Sequence, residues 1–146
     1  MKYILVVIAV LCASATAHAR TLEVTLDTGG SLDWRLEEVK KLRATDTAVV
    51  ISGQCHSSCT MYLALPKTCV TPEARLGFHG PRTAKGSRLP TSDFKYWTDI
   101  MAAHYPPQIA RRFMRDWRHK IANHQIITGT QAIVMGARPC AQQTKA

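Results

Sequence analysis

The segment Val49-Val-Ile-Ser-Gly-Gln-Cys-His-Ser-Ser-Cys-Thr-Met-Tyr-Leu63 decides the fold of this chain. It opens as a short β-branched run, passes through Gly53, and continues after Ser57 as an apolar stretch of helical length. A strand that turns sharply into a helix lifts the side chain at the turn to the top of a sheet. The segment therefore predicts that a substrate can reach Ser57.

The residues before this segment predict a βαβ unit. Thr21 to Leu26 alternates apolar and polar side chains, which is the period of a half-buried strand. Ser31 to Arg43 carries apolar residues at helical spacing with charges between them, and Thr47 to Ser52 is too short for a helix. A strand, a helix and a strand within one short stretch favour a right-handed parallel unit.

The residues after it predict more short strands and helices. A helix is expected over Ser57 to Leu65, and Gly80 to Pro90 has the composition of a loop. Thr128 and Gln131 form a capping box that opens a last short helix. The remaining predictions are strands at Thr68–Thr71, Arg75–His79 and Arg138–Cys140, and helices at Asp93–His104 and Pro107–Asn123. The expected fold class is α/β, with a mostly parallel sheet.

The first residues have the pattern of a cleaved signal peptide. Lys2 supplies a positive start, Tyr3 to Leu11 is apolar, and Ala17-His-Ala19 is a small-residue cleavage site. The apolar run is short for a membrane span. We therefore expect a signal peptide at 1–19, one domain at 20–146, a periplasmic or secreted location, and no stable membrane anchor after cleavage.

The chain is basic. Its 19 Lys and Arg against 10 Asp and Glu give a net charge of +9, or +8 without Lys2. The basic residues concentrate in the loop at 82–88 and on the helix at 111–120, whose polar face lacks interleaved aromatic side chains. Since charge alone is a weak indication, nucleic-acid binding is not expected.

The expected mature chain contains four cysteines. An even number in an exported protein indicates two disulfides, and Cys55, Cys59, Cys69 and Cys140 allow three pairings. A zinc site at Cys55 and Cys59 with a nearby histidine is the alternative, but the spacing is not that of a standard zinc site. We therefore expect no metal and no cofactor.

Three segments in order resemble the Clp protease proteolytic subunit and the wider crotonase-like superfamily. Gly29-Gly-Ser31 is similar to the glycine-rich turn of that family, and Gly53-Gln-Cys-His-Ser-Ser-Cys59 to its serine-bearing turn. Pro72-Glu-Ala-Arg-Leu-Gly-Phe-His79 resembles its histidine segment. Small exported bacterial proteins with a Cys-x-Ser-x-Cys turn look most similar. The resemblance implies a single-domain Clp protease/crotonase-like fold.

The resemblance also implies catalytic functions for individual residues. Ser57 corresponds to the nucleophile and His79 to the general base, while Gly29, Gly30 and the Ser58 N–H correspond to the oxyanion hole. The family's orienting acid has no counterpart in Ile121-Ala-Asn-His124. Asn123 is the first alternative for that position, and Asp116 is the second.

Two functions remain open on these grounds. The first is a secreted serine hydrolase or peptidase with a short peptide or acyl substrate. The second is a catalytically inactive, disulfide-stabilised domain that binds such a ligand, in which Ser57 is a helix cap and His79 a structural residue. Relatives commonly assemble, so a homo-oligomer is compatible with either function. For the cysteines we favour the pairs Cys55–Cys59 and Cys69–Cys140.

Overall fold

The computed structural model describes residues 20–141, which form one mixed α/β domain. The predicted signal peptide at 1–19 and residues 142–146 lie outside this range. Within it, no helix has the length and apolar character needed to cross a bilayer.

A five-stranded sheet is the centre of the domain. Its strands follow the order β1-β2-β4-β5, and β3 pairs with β2. The pairings of β2 with β1, β3 and β4 are parallel, whereas β4 and β5 are antiparallel. The strands are β1 Thr21–Asp27, β2 Ala48–His56, β3 Thr68–Val70, β4 Arg75–Phe78 and β5 Gln125–Thr128.

Helices cover this sheet. The four α-helices are α1 Leu32–Ala44, α2 Thr91–Ala103, α3 Pro107–Arg115 and α4 Gly129–Val134. Two 3-10 segments complete the fold: the Ser57 helix, Ser57–Ala64, and the Trp117 turn, Trp117–His119. The capping box predicted at Thr128 and Gln131 is present at the start of α4.

The core forms where the sheet meets these helices. Phe78 of β4 is fully buried and packs edge-on against Tyr105, with 5.3 Å between ring centroids. Phe78 also contacts Trp117, with 5.0 Å between the ring centroids. Burying large aromatic side chains contributes roughly 1.5–3 kcal/mol each. This cluster therefore holds the carboxyl end of β4 in place.

The strand β2 is longer than the sequence pattern predicts. It continues past Ser52 to His56, because Gly53 is not a turn but a point of close approach to β1. A Cβ atom at Gly53 would overlap the Thr25 carbonyl, and the β1–β2 register shifts at the same place, between Val24 and Leu26. A glycine inside a strand often marks such an irregularity.

The helix α3 is shorter than predicted, ending at Arg115 instead of Asn123. The chain turns after Arg115 because Trp117 is buried, and the backbone carbonyls after Trp117 contact the segment that follows β4. The Gly80 N–H donates to the Lys120 carbonyl at 2.9 Å. This turn leads into β5, which the sequence analysis did not predict. The final strand predicted at Arg138–Cys140 is a single bridge between Pro139 and Val70.

The cysteine pairing is the one that we favoured. Cys55 and Cys59 are bonded with their Cα atoms 5.3 Å apart, and Cys69 and Cys140 with theirs 4.8 Å apart. The first disulfide spans the turn from β2 to the Ser57 helix. The second ties β3 to the end of the described chain. All four thiols are therefore used in disulfides.

Removing the two disulfides is expected to have unequal effects. The Cys69–Cys140 loop spans 71 residues and the Cys55–Cys59 loop spans 4. Loop-closure entropy then predicts a loss of about 4 kcal/mol for Cys69→Ala with Cys140→Ala, and about 2 kcal/mol for Cys55→Ala with Cys59→Ala. Urea unfolding of the two double variants measures the difference. A larger loss for the short loop would contradict the entropic argument.

Candidate active site

A cavity of about 730 Å³ opens at the carboxyl ends of β1, β2 and β4. These strands are parallel, so the turns that follow them meet at one edge of the sheet, where ligands bind in open α/β sheets. Four of the predicted site residues line this cavity: Gly29, Gly30, Ser57 and His79.

Ser57 lies at the turn between β2 and the Ser57 helix. Its φ of +57° places it in the left-handed region, which non-glycine residues seldom occupy. The turn is held on both sides, because the Cys55–Cys59 disulfide brackets it and the Thr60 hydroxyl donates to the Ser57 carbonyl at 2.7 Å. A strained strand-to-helix turn of this kind presents a serine hydroxyl to a substrate.

Gly29 packs directly against this turn. An added Cβ would lie 2.6 Å from the Ser57 Cβ and 3.0 Å from the Ser58 nitrogen, too close for any side chain. Its φ of +89° is a second reason for glycine at this position. The glycine-rich turn after β1 and the serine turn after β2 are therefore in contact through their backbones.

A buried arginine organises the glycine-rich turn. Asp27 accepts from the Gly29 N–H at 2.8 Å with one carboxylate oxygen and from Arg35 at 2.6 Å with the other. Arg35 is only 2% exposed and also donates to Glu38 at 2.6 Å and to the Tyr62 hydroxyl. Its guanidinium lies 4.4 Å from the centroid of the Tyr62 ring. One side chain thus connects both turns through α1.

The predicted oxyanion donors, the Gly30 and Ser58 N–H groups, belong to the two turns that are in contact, but only Gly30 is part of the cavity lining. Ser58 stands in the first turn of its helix, where N–H groups have no intrahelical acceptor. Within the described residues, the Gly30 N–H makes no hydrogen bond. Ser58 itself is fully buried, and its hydroxyl has no partner within residues 20–141. Unpaired N–H groups beside a serine are able to bind a developing oxyanion.

His79 follows β4 and is 5% exposed. Its Nδ1 lies 2.6 Å from the Gly80 carbonyl oxygen. Because a carbonyl only accepts, Nδ1 must carry the proton, which leaves Nε2 as an acceptor. No hydrogen bond engages Nε2 within the described part of the chain. This is the tautomer that a general base requires.

The environment of His79 keeps the ring neutral. Burial lowers the pKa of His79 to about 4, and the positive fields of His124, Arg82 and His56 act in the same direction. The hydrogen bond to Gly80 opposes them. The imidazole is therefore unprotonated at neutral pH.

His124 is the residue that sequence reasoning missed. It lies directly before β5, and the antiparallel register pairs Phe78 with Gln125, so His124 stands beside His79. The two rings meet edge to face with 4.5 Å between centroids, and His124 also lies 5.1 Å from His56. Burial, His56 and Arg82 lower the pKa of His124. Prediction of the strand β5 from the sequence would have placed His124 beside His79.

Asn123 and Asp116 lie elsewhere. Asn123 is exposed and does not belong to the cavity lining, although its neighbour His124 does. The Asp116 carboxylate pairs with Arg115 at 2.9 Å on another face. The orienting function assigned to Asn123 stays a prediction. In the structure, the group that contacts His79 Nδ1 is the Gly80 carbonyl.

The remaining cavity wall combines apolar and charged side chains. Arg82 and Asp33 supply one charge of each sign. Within residues 20–141, no group of three or more His, Cys, Asp or Glu is arranged to hold a metal ion. A ligand with both a polar backbone and an apolar side chain fits this composition. The apolar lining residues are Leu32, Pro81, Ala84, Leu89, Trp97 and Met101.

Replacement of Arg35 is expected to destabilise the protein strongly. Arg35→Met leaves Asp27 and Glu38 without their buried cation, which predicts a loss of about 3 kcal/mol in the free energy of unfolding. Lys40→Met removes an exposed pair with Glu37 and should cost less than about 1 kcal/mol. Urea unfolding of the two variants measures both losses in the free energy of unfolding. Equal losses would show that the Arg35 pairs contribute no more than surface pairs.

Gly29→Ala tests the contact between the two turns, and Gly86→Ala is its matched control. Both glycines have positive φ, +89° and +82°, but an added Cβ at Gly86 has no neighbour within 4 Å. We expect Gly86→Ala to cost about 1 kcal/mol from backbone strain alone. Gly29→Ala should cost a further 1–3 kcal/mol or so, because the Cβ overlaps Ser57. Thermal or urea unfolding provides the comparison, and indistinguishable losses would contradict the contact.

Comparisons with known proteins identify the fold. No family model matches the chain, and no curated protein sequence matches it. Among solved structures, the chain is similar to the ClpP protease catalytic domain from Plasmodium falciparum, with a TM-score of 0.59 and 14% sequence identity. The match covers 86% of this chain and 71% of that one. The described residues therefore have a Clp protease-like fold, as the sequence resemblance implied.

Proposed function

We propose that this protein is a serine hydrolase that acts on short peptides or acyl compounds. The observation that carries the proposal is the convergence of Ser57, Gly29 and His79 on one cavity. Ser57 has the backbone conformation of an exposed nucleophile, Gly29 brings a second backbone turn against it, and His79 holds an acceptor nitrogen. The similarity to a protease catalytic domain supports the same reading.

The first step is attack on a carbonyl carbon. The Ser57 hydroxyl forms a bond to that carbon while its proton passes to His79 Nε2. The carbonyl oxygen becomes an oxyanion and accepts from the N–H groups of Gly30 and Ser58. Loss of a single donor of this kind typically costs about 3 kcal/mol of transition-state stabilisation.

The second step releases the leaving group. The leaving amine or alkoxide takes the proton back from His79 as its bond to the carbonyl carbon breaks, which leaves an acyl group on Ser57. Water then attacks the acyl carbon and gives a proton to His79, which passes it to the Ser57 oxygen as the acyl–serine bond breaks and the acid is freed. The histidine returns to its neutral state, so the cycle is balanced.

The absence of an orienting carboxylate beside His79, among the described residues, predicts slow turnover. In a complete triad the acid fixes the tautomer and stabilises the imidazolium. Here the Gly80 carbonyl would fix the tautomer, but it offers only a dipole to the charged ring. The low pKa of His79 likewise favours the second candidate function, in which the same cavity binds a peptide or acyl ligand without cleaving it.

We also propose that the protein functions outside the cytoplasm. Two disulfides are typical of exported domains, and the pattern of residues 1–19 supports a signal peptide. A homo-oligomer stays a prediction that rests on the sequence resemblance alone.

Labelling by a fluorophosphonate probe tests the hydrolase proposal. We expect the folded, oxidised protein to be labelled, and Ser57→Ala to abolish labelling. Ser58→Ala is the matched control, because the Ser58 hydroxyl is buried whereas its N–H survives the substitution. Labelling of Ser58→Ala should therefore continue. The labelling rate should also depend on pH through His79, which accepts the serine proton only when it is neutral.

The pH profile follows from the lowered pKa of His79. The rate should fall as the pH drops through about 4 and should be flat from there to neutrality. A midpoint near the ordinary histidine pKa of about 6.5 would contradict the buried site. If no Ser57-dependent labelling occurs at any pH while peptides still bind saturably in the cavity, the binding function replaces the hydrolase.

A further inference from the structure

A second concave surface lies on a different face of the molecule. This β5 groove has a volume of about 570 Å³ and runs between α3 with the Trp117 turn on one side and β5 with α4 on the other. A smaller depression of about 300 Å³ continues from it and shares Arg112 and Met135. Neither contains a residue of the Ser57 cavity.

Cations dominate this surface. Arg111, Arg112, Arg115 and Lys120 line the two depressions, against the single carboxylate of Asp116. Asp116 already pairs with Arg115 at 2.9 Å and approaches Arg112 at 3.6 Å. Within residues 20–141, Arg111 and Lys120 have no ion-pair partner. The surface thus has an excess of three positive charges.

The floor and far wall of the β5 groove are partly apolar. Trp117 and Ile127 are buried beneath it, and Val134 of α4 is 74% exposed at its side. A cationic rim around an apolar wall matches a ligand that carries both carboxylates and aliphatic side chains. Arginine is also enriched in protein–protein contact surfaces.

The edge strand β5 is partly closed to strand addition. The Ile126 carbonyl accepts from the Gln125 side chain at 3.3 Å, and the Thr128 N–H donates to Gln131 at 2.9 Å. Because these backbone groups already have partners, a ligand would be held by charge and side-chain packing instead of by main-chain pairing.

We propose that the β5 groove docks an acidic peptide segment of a partner protein, with carboxylates on the arginines and an aliphatic side chain against Val134. Nucleic acid fits less well, because Trp117 is 8% exposed and offers no stacking platform. A flat membrane surface does not enter a concave groove. A second copy of this chain, with its net charge of +9, meets like-charge repulsion here.

Fluorescence anisotropy with a short labelled peptide that alternates glutamate and leucine tests the proposal. We expect saturable binding that weakens as sodium chloride rises. Arg112→Gln with Lys120→Gln should weaken binding roughly tenfold, since each exposed charge pair contributes up to about 1 kcal/mol. Val134→Glu, at an exposed position, should weaken it in the same direction by adding a repelling carboxylate.

Two control variants separate this groove from other sources of binding. Lys40→Gln with Lys41→Gln removes the same charge from α1, and Arg82→Gln removes a cation from the Ser57 cavity. Both should leave the affinity within about twofold of the parent protein. Circular dichroism verifies that each variant is folded.

Several outcomes would overturn the proposal. They are an absence of saturable binding, equal affinity for a lysine–leucine peptide, and an equal loss in the α1 control or in Arg82→Gln. Tighter binding of an oligonucleotide or of phosphatidylglycerol vesicles, with the same dependence on Arg112 and Lys120, would assign the groove to that class of partner instead. None of these results depends on whether Ser57 is a nucleophile.

Discussion

The site depends on one close contact between two backbone turns. Gly29, after β1, and Ser57, after β2, lie so near each other that even a methyl group does not fit between them. This contact requires parallel pairing of the two strands, because only then do both turns emerge at the same sheet edge. It also requires unusual backbone angles on both sides, which have a cost in free energy.

The surrounding structure offsets that cost from three directions. The Cys55–Cys59 disulfide limits the freedom of the serine turn, and Asp27 holds the glycine turn through its N–H. Arg35 joins the two, since it binds Asp27 and packs on Tyr62 of the Ser57 helix. Ion pairs, main-chain geometry and a covalent bond thus act on the same few residues. The glycine turn and the serine turn are consequently held by the fold itself, whereas the loop after β4 supplies another part of the cavity lining.

Periodicity and capping residues in the sequence predicted the elements that form through local interactions. The strand β1, the amphipathic α1 and the capping box at Thr128 are present as expected, although the register shift after Val24 leaves Leu26 66% exposed. What the sequence did not predict depends on distant partners. Arg35 has the pattern of an exposed helix residue, and only Asp27 and Tyr62 explain its burial. In the same way, α3 ends early because Gly80 approaches the carbonyls at 118–120 from another part of the chain, and His124 faces His79 only through the register of β5.

The hydrogen bond between His79 and the Gly80 carbonyl has a consequence for how this site tolerates mutation. When a carboxylate side chain orients a histidine, a single nucleotide change can delete it. A main-chain carbonyl is not removed by replacing a side chain, so its orienting effect is lost only if the backbone moves, as a Cβ at Gly80, 1.9 Å from the Arg118 carbonyl oxygen, would force. The orientation of the His79 ring is therefore kept as long as the backbone keeps its conformation, and substitutions of neighbouring side chains do not change it.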